Sequence, residues 1–156
     1  MIIWIASYPK SGNTWVRSII SSMLYSNDGV FNFNLLKKIK QFPNKKYFVN
    51  FTKDFQNINE IKKYWIESQD WINLNKETKF FKTHHINCKI GQHAFTNKSN
   101  TLGTIYVVRD PRNLVNSFTN HYNIDKNTAK HFITSQHSVT GALGKMKRDN
   151  HIFTIL

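Results

Sequence analysis

Ile2-Ile3-Trp4-Ile5-Ala6-Ser7, then Tyr8-Pro9-Lys10-Ser11-Gly12-Asn13, then Thr14 to Tyr25: the reading of this opening stretch decides the fold. Its first segment is apolar, rich in β-branched and aromatic residues, and short. Such a run reads as a strand buried on both faces. Pro, Lys, Ser, Gly and Asn then break it with turn chemistry. From Thr14 the chain places Trp15, Ile19, Ile20, Met23 and Leu24 at helical spacing, with no Pro or Gly before Tyr25. Strand, loop and helix in this order form the first half of a βαβ unit.

Outward from there the same alternation recurs. Leu35 to Gln41 predicts a short helix ending before Pro43. Residues 57–72 predict a surface helix with Ile58, Ile61, Trp65, Ile66 and Ile72 facing inward. Lys79 to His84 is a second strand, 87–101 a polar loop, and Thr104 to Val108 an unbroken apolar strand. Asp110-Pro111 is a helix start, with Asp as cap and Pro at the first helical position. That helix runs to about Tyr122, and Asp125 caps another to about Ser135. Ile152 to Leu156 reads as a last strand. No repeat or low-complexity linker interrupts the 156 residues, which predict one domain. The fold class is α/β, three-layered, with a central parallel sheet and a P-loop-like strand–loop–helix.

Composition narrows the function classes. With 40% apolar and 20% charged residues the chain is neither disordered nor a membrane bundle. No apolar run reaches the roughly 18 residues of a membrane span. The opening residues lack the basic segment of a signal peptide. The one cysteine, Cys88, allows no internal disulfide and fits a reducing compartment. These features predict a cytoplasmic protein. Lys and Arg number 22 against 9 acidic residues, a net charge of +13. Such an excess suits a polyanionic or phosphorylated partner, or reflects a Lys- and Asn-rich composition. The arginines are few: Arg17, Arg109, Arg112 and Arg148.

Three motifs fall at three strand ends, where parallel sheets bind ligands. In Ser7-Tyr8-Pro9-Lys10-Ser11-Gly12-Asn13-Thr14-Trp15, a tight loop leads into a helix whose first N–H groups point at an anion. Gly12 permits close backbone approach, Lys10 adds a charge, and Ser11 and Thr14 add hydroxyls. This is phosphate-cradling chemistry or an ordinary βα turn; it is not a Walker A loop. In Phe80-Phe81-Lys82-Thr83-His84-His85, alternation puts Lys82 and His84 on one side of the sheet. A Lys–x–His pair suits a general base beside a developing anion, or His84 is a structural histidine. His84, His85, Cys88 and His93 also cluster, in a spacing that matches no zinc pattern. In Val107-Val108-Arg109-Asp110-Pro111-Arg112-Asn113-Leu114-Val115-Asn116-Ser117, Ser117 returns about two helical turns past Asp110 to the same face. Arg109 can fork onto a phosphate with Ser117 beside it, or sit in a structural ion pair.

Together these motifs resemble the sulfotransferases that use 3′-phosphoadenosine 5′-phosphosulfate (PAPS). YPKSGNTW is similar to their 5′-phosphosulfate loop, VVRDPRNLVNS to their 3′-phosphate motif, and FKTH to the segment carrying their base. The resemblance implies that Lys10 contacts the 5′-phosphosulfate and helps the phosphate leave. It implies that Ser11, Gly12, Asn13 and Thr14 hold the same group, and that Trp15 stacks on adenine unless it packs in the core. Lys82 would neutralise charge, His84 deprotonate the acceptor, and Arg109 and Ser117 hold the 3′-phosphate. Asn13 stands where many members have Thr. The family's C-terminal Gly-rich basic motif has no match here. Gly141 to Lys145 comes too early, so the expectation is a C-terminally incomplete domain over 1–156, either a fragment or a reduced member of the family.

No metal is expected, since lysines supply the charge and no acidic pair suits Mg²⁺. The rival readings are a nucleotide kinase-like phosphotransferase, which should carry Walker A, and a non-catalytic basic nucleotide- or nucleic-acid-binding module. No nucleic-acid motif is present, and the expected partner is a small-molecule or glycan acceptor. Residues 26–78 are expected to line its site. Their aromatics Phe31, Phe33, Phe42, Tyr47, Phe48 and Phe51 pack either the acceptor or the core.

Overall fold

A computed structural model provides the fold and describes residues 1–134. The strand expected over Ile152–Leu156 lies outside the described residues. The central sheet has four parallel strands: β1 (Ile2–Ser7), β2 (Lys40–Gln41), β3 (Lys79–Thr83) and β6 (Thr101–Val107), in the order β2-β3-β1-β6. β4 (Lys89–Ile90) and β5 (His93–Ala94) form a small antiparallel hairpin apart from it. Helices α1 (Asn13–Tyr25), α2 (Ile58–Ile61), α3 (Trp65–Asn73), α4 (Pro111–Tyr122) and α5 (Lys126–Thr134) complete the described chain. The expected α/β architecture with a parallel sheet is therefore present.

β1 is central because both its edges are taken. Ile5 pairs with Lys82 on one side and with Ile105 on the other. Register decides the two faces, since paired residues of parallel strands point the same way. Trp4 stands beside Phe81 and Thr104, on the face that carries the main core. Ile2, Trp4, Phe42, Phe48, Ile61, Trp65, Phe81 and Phe95 pack there. Trp4 touches Phe42, Phe81 and Phe95 with ring centroids 5.7, 6.1 and 5.5 Å away. Ile5 and Ser7 point to the opposite face. There Asn13, at the start of α1, donates its amide to the Ile5 carbonyl at 2.9 Å and to Ser7 Oγ at 3.1 Å.

Several boundaries differ from expectation, each for a physical reason. The helix expected over Leu35–Gln41 is a single 3₁₀ turn, Leu35–Lys38, followed by β2. Phe42 leaves the helix pattern because its N–H bonds to the Lys82 carbonyl at 2.9 Å. The helix expected over 57–72 is interrupted by a 3₁₀ turn at Lys62–Tyr64, which rotates Ile61 and Trp65 together into the core. β3 stops at Thr83, one residue short of expectation. β6 begins at Thr101, three residues before the apolar run, with an irregularity opposite Ile2/Ile3 that absorbs the polar start. α4 starts where expected, with Asp110 accepting from the Arg112 N–H at 2.9 Å. Of the aromatics in 26–78, Phe42, Tyr47 and Phe48 are core, while Phe33 is 78% exposed.

Candidate functional site

The loop between β1 and α1 is held tightly. The Ser11 N–H bonds to the Tyr8 carbonyl at 3.2 Å, closing a turn. Gly12 adopts φ 105°, a left-handed conformation that glycine takes without penalty. Lys10 also turns left-handed, at φ 66°, which costs a non-glycine residue about 1–2 kcal/mol. α1 then begins with no side-chain cap and no acid in its first turn. The first N–H groups and the positive end of the helix dipole are therefore left for an external anion. Asn13 contributes from inside. Its buried amide bonds to β1 fix the helix start beneath the loop. Trp15 is 77% exposed and so is not part of the core.

At the end of β3, Lys82 lies opposite Ile5 and thus on the Ser7 face. His84 returns to that face, with Nδ1 lying 2.7 Å from the Ser7 carbonyl and 3.1 Å from Ser7 Oγ. A carbonyl only accepts, so Nδ1 carries the proton and a neutral ring keeps its lone pair on Nε2. That is the tautomer a general base needs. His85 points the other way. It is 6% exposed, stacked on Phe95 at 4.3 Å and 2°, with Trp65 edge-on at 4.7 Å. Burial pulls its pKa down to about 4. The two adjacent histidines therefore occupy different environments. Among the described residues no group of three or more His, Cys, Asp and Glu gathers as a metal site.

At the end of β6, Arg109 Nη1 donates to the Lys10 carbonyl at 3.2 Å. Asp110 caps α4 and is bonded by the Arg112 side chain, which holds its carboxyl below the usual range. Ser117 is half-buried on α4. One turn further, His121 has its pKa lowered by burial and by the charge of Lys10. That places this side of α4 near the loop. Tyr8 and Phe118 join the two elements by stacking at 5.9 Å. Tyr122 is half-buried, and that burial, with Tyr8 beside it, pushes its pKa up to about 12.

The strand ends therefore bring the loop of Lys10, Ser11, Gly12, Asn13 and Thr14 to Arg109, and Ser7 to His84. Sequence reasoning missed Ser7 as the partner of His84, and His121 as a neighbour of Lys10. The spacing of Ser117 and His121, one helical turn apart, was the available signal. A cleft of about 460 Å³ opens on the other face, lined by Trp4, Thr83, His85, Phe95, Thr104 and Tyr106. It reaches Ser7 and His84 at the strand ends but lies across the sheet from Lys82.

The uncapped start of α1, the bond from Arg109 to the Lys10 carbonyl and the bond from His84 Nδ1 to the Ser7 carbonyl thus stand at neighbouring strand ends. In the comparison with known families, the model described as "Sulfotransferase domain" matches residues 2–149. The chain belongs to that family. Luciferin sulfotransferase of Photinus pyralis is 30% identical to it over 122 residues, 76% of this chain. The chain spans about a third of that relative's length, the match covering 32% of it. Among solved structures none matches the chain significantly. No helix among the described residues is long and apolar enough to cross a membrane.

Proposed function

We propose that this chain binds PAPS between the Tyr8–Asn13 loop and the start of α4, and directs its sulfuryl group to an acceptor hydroxyl or amine. The observation that carries the reading is the 3.2 Å bond from Arg109 to the Lys10 carbonyl, which joins the two anion-binding motifs. The donor set suits a nucleotide with two anionic ends: an uncapped helix start with Lys10 at one, Arg109 with Ser117 at the other. When bound, PAPS supplies an activated sulfuryl group on a phosphate leaving group.

The chain's residues then divide the work. His84 Nε2 takes the acceptor's proton as the new O–S or N–S bond forms. The bond from sulfur to the phosphate oxygen breaks, and Lys10 with the Ser11–Thr14 N–H groups stabilises the charge left on that phosphate. Lys82 neutralises charge around the transferring group. Arg109 and Ser117 hold the 3′-phosphate, and the exposed Trp15 ring offers a stacking face to adenine. The acceptor is a small molecule or a glycan, and the setting is a reducing cytoplasm, in keeping with the lone Cys88 thiol.

The Arg109→Ala variant tests the reading. Its affinity for 3′-phosphoadenosine 5′-phosphate should fall by at least about tenfold, because a charged fork contact is worth roughly 1.5–3 kcal/mol. Binding of adenosine 5′-phosphate, which lacks the 3′-phosphate, should change little. Equal losses for both ligands in a calorimetric titration would reduce Arg109 to a loop brace.

A further inference from the structure

We propose that Asn13 is a positioning residue for the base: acting through Ser7, it ties the orientation of the His84 ring to the start of α1. The proposal rests on the reading of His84 as base given above. A catalytic histidine needs a third group on its far nitrogen to hold its tautomer and its direction. Here that group is Ser7, at the last position of β1, with its carbonyl 2.7 Å and its Oγ 3.1 Å from His84 Nδ1. The carbonyl only accepts, so the Nδ1 proton is shared between it and Oγ. Asn13 Nδ2 donates to the same Oγ at 3.1 Å and to the Ile5 carbonyl at 2.9 Å. Both lone pairs of the Ser7 hydroxyl are then taken, one by Asn13 and one by His84. The hydroxyl is held as an acceptor facing the ring.

Burial makes this arrangement firm. Ser7 is 4% exposed and Asn13 5%, so neither side chain trades its bonds for water. The direction of the Asn13 amide follows from its partners, since the Ile5 carbonyl requires a donor. That choice leaves Asn13 Oδ1 buried without a hydrogen-bond partner. An orphaned buried oxygen costs folding free energy. Stability alone therefore disfavours asparagine at this place, whereas a link from α1 to the base requires it. Asn13 also opens α1, so its backbone N–H belongs to the anion-facing helix start while its side chain reaches inward. One residue thus serves the donor loop with its main chain and the base with its amide.

The test reads the exchange of ring Nδ1–H protons with water, by NMR of the whole chain labelled with ¹⁵N-histidine. Ser7→Ala removes one of the two acceptors described for the His84 proton. Its exchange should quicken about threefold to tenfold, the span of one neutral hydrogen bond. Asn13→Ala should quicken it by at least about twofold. Both act through the same oxygen, so Ser7→Ala/Asn13→Ala should exchange no faster than Ser7→Ala alone. His85 Nδ1, held by the Ile86 carbonyl at 2.8 Å, is the reference and should not change. An Asn13 that only braces the helix would leave the His84 proton unchanged in Asn13→Ala, or give effects that multiply in the double variant; either result overturns the proposal. Ser7→Ala removes a single oxygen, and an unchanged His84 proton in that variant overturns it even where Asn13→Ala does not fold. Adenosine 3′,5′-bisphosphate, titrated by calorimetry, separates the two readings. It should bind the original chain and Ser7→Ala within about twofold of each other. No binding to the original chain overturns the transfer reading, and with it His84 as a base; binding with an unchanged His84 proton overturns the positioning role alone.

Discussion

Replacing His84 with alanine should lower the transfer rate of the catalytically active protein by roughly 10²–10⁴-fold, while nucleotide affinity stays within about twofold of the original. A base touches the acceptor's proton and not the donor's phosphates, so the two readouts separate. The structure gives the reason to expect a large effect. Nδ1 is committed to the Ser7 carbonyl at 2.7 Å, which fixes both the tautomer and the ring orientation. His85→Phe is the internal control: it keeps a ring against Phe95 and Trp65 and should keep turnover. Loss of activity in His85→Phe with retention in His84→Ala would show that the wrong histidine carries the base.

The second large effect is on stability. His85 is buried in an aromatic box, and burial holds its pKa near 4 against an ordinary 6.5. The unfolded chain therefore binds the proton more readily than the folded one. Stability from this residue is complete above about pH 6.5 and is lost as pH falls toward 4. The shift corresponds to a loss on the order of 3 kcal/mol. Denaturant titrations at pH 7 and pH 4 should show this difference in the original protein and a much smaller one in His85→Phe. An identical acid loss in both would assign the pH dependence to other groups.

These two predictions draw on different depths of the sequence. β1, its loop and α1 were legible because one apolar run, one turn and one helical period follow each other without ambiguity. α4 was legible from Asp110-Pro111, where cap chemistry and a fixed φ coincide. β2 was not. A strand of two residues, Lys40–Gln41, has no periodicity, and its existence depends on pairing with β3 far along the chain. The β4–β5 hairpin is similarly short, its turn made by Gly91 at φ 64°. In the site, the residue types and their strand-end positions were readable, since alternation separates His84 from His85. The contacts were not. The bond from His84 to Ser7 joins strands that only the sheet brings together, and so does the link from Arg109 to Lys10. His121 went unnoticed because its nearness to Lys10 depends on how α4 packs against Tyr8.

The central claim is that the Tyr8–Asn13 loop and the start of α4 together hold a nucleotide with phosphate at both its 3′ and 5′ positions. Parallel calorimetric titrations of the chain with 3′-phosphoadenosine 5′-phosphate, ATP and a generic oligonucleotide at moderate salt test it most directly. The account predicts that the bisphosphate binds at least about tenfold more tightly than ATP, the margin of one charged fork contact. It also predicts that the oligonucleotide binds more weakly than the bisphosphate. ATP binding as tightly as the bisphosphate, or the oligonucleotide outbinding both, would contradict it.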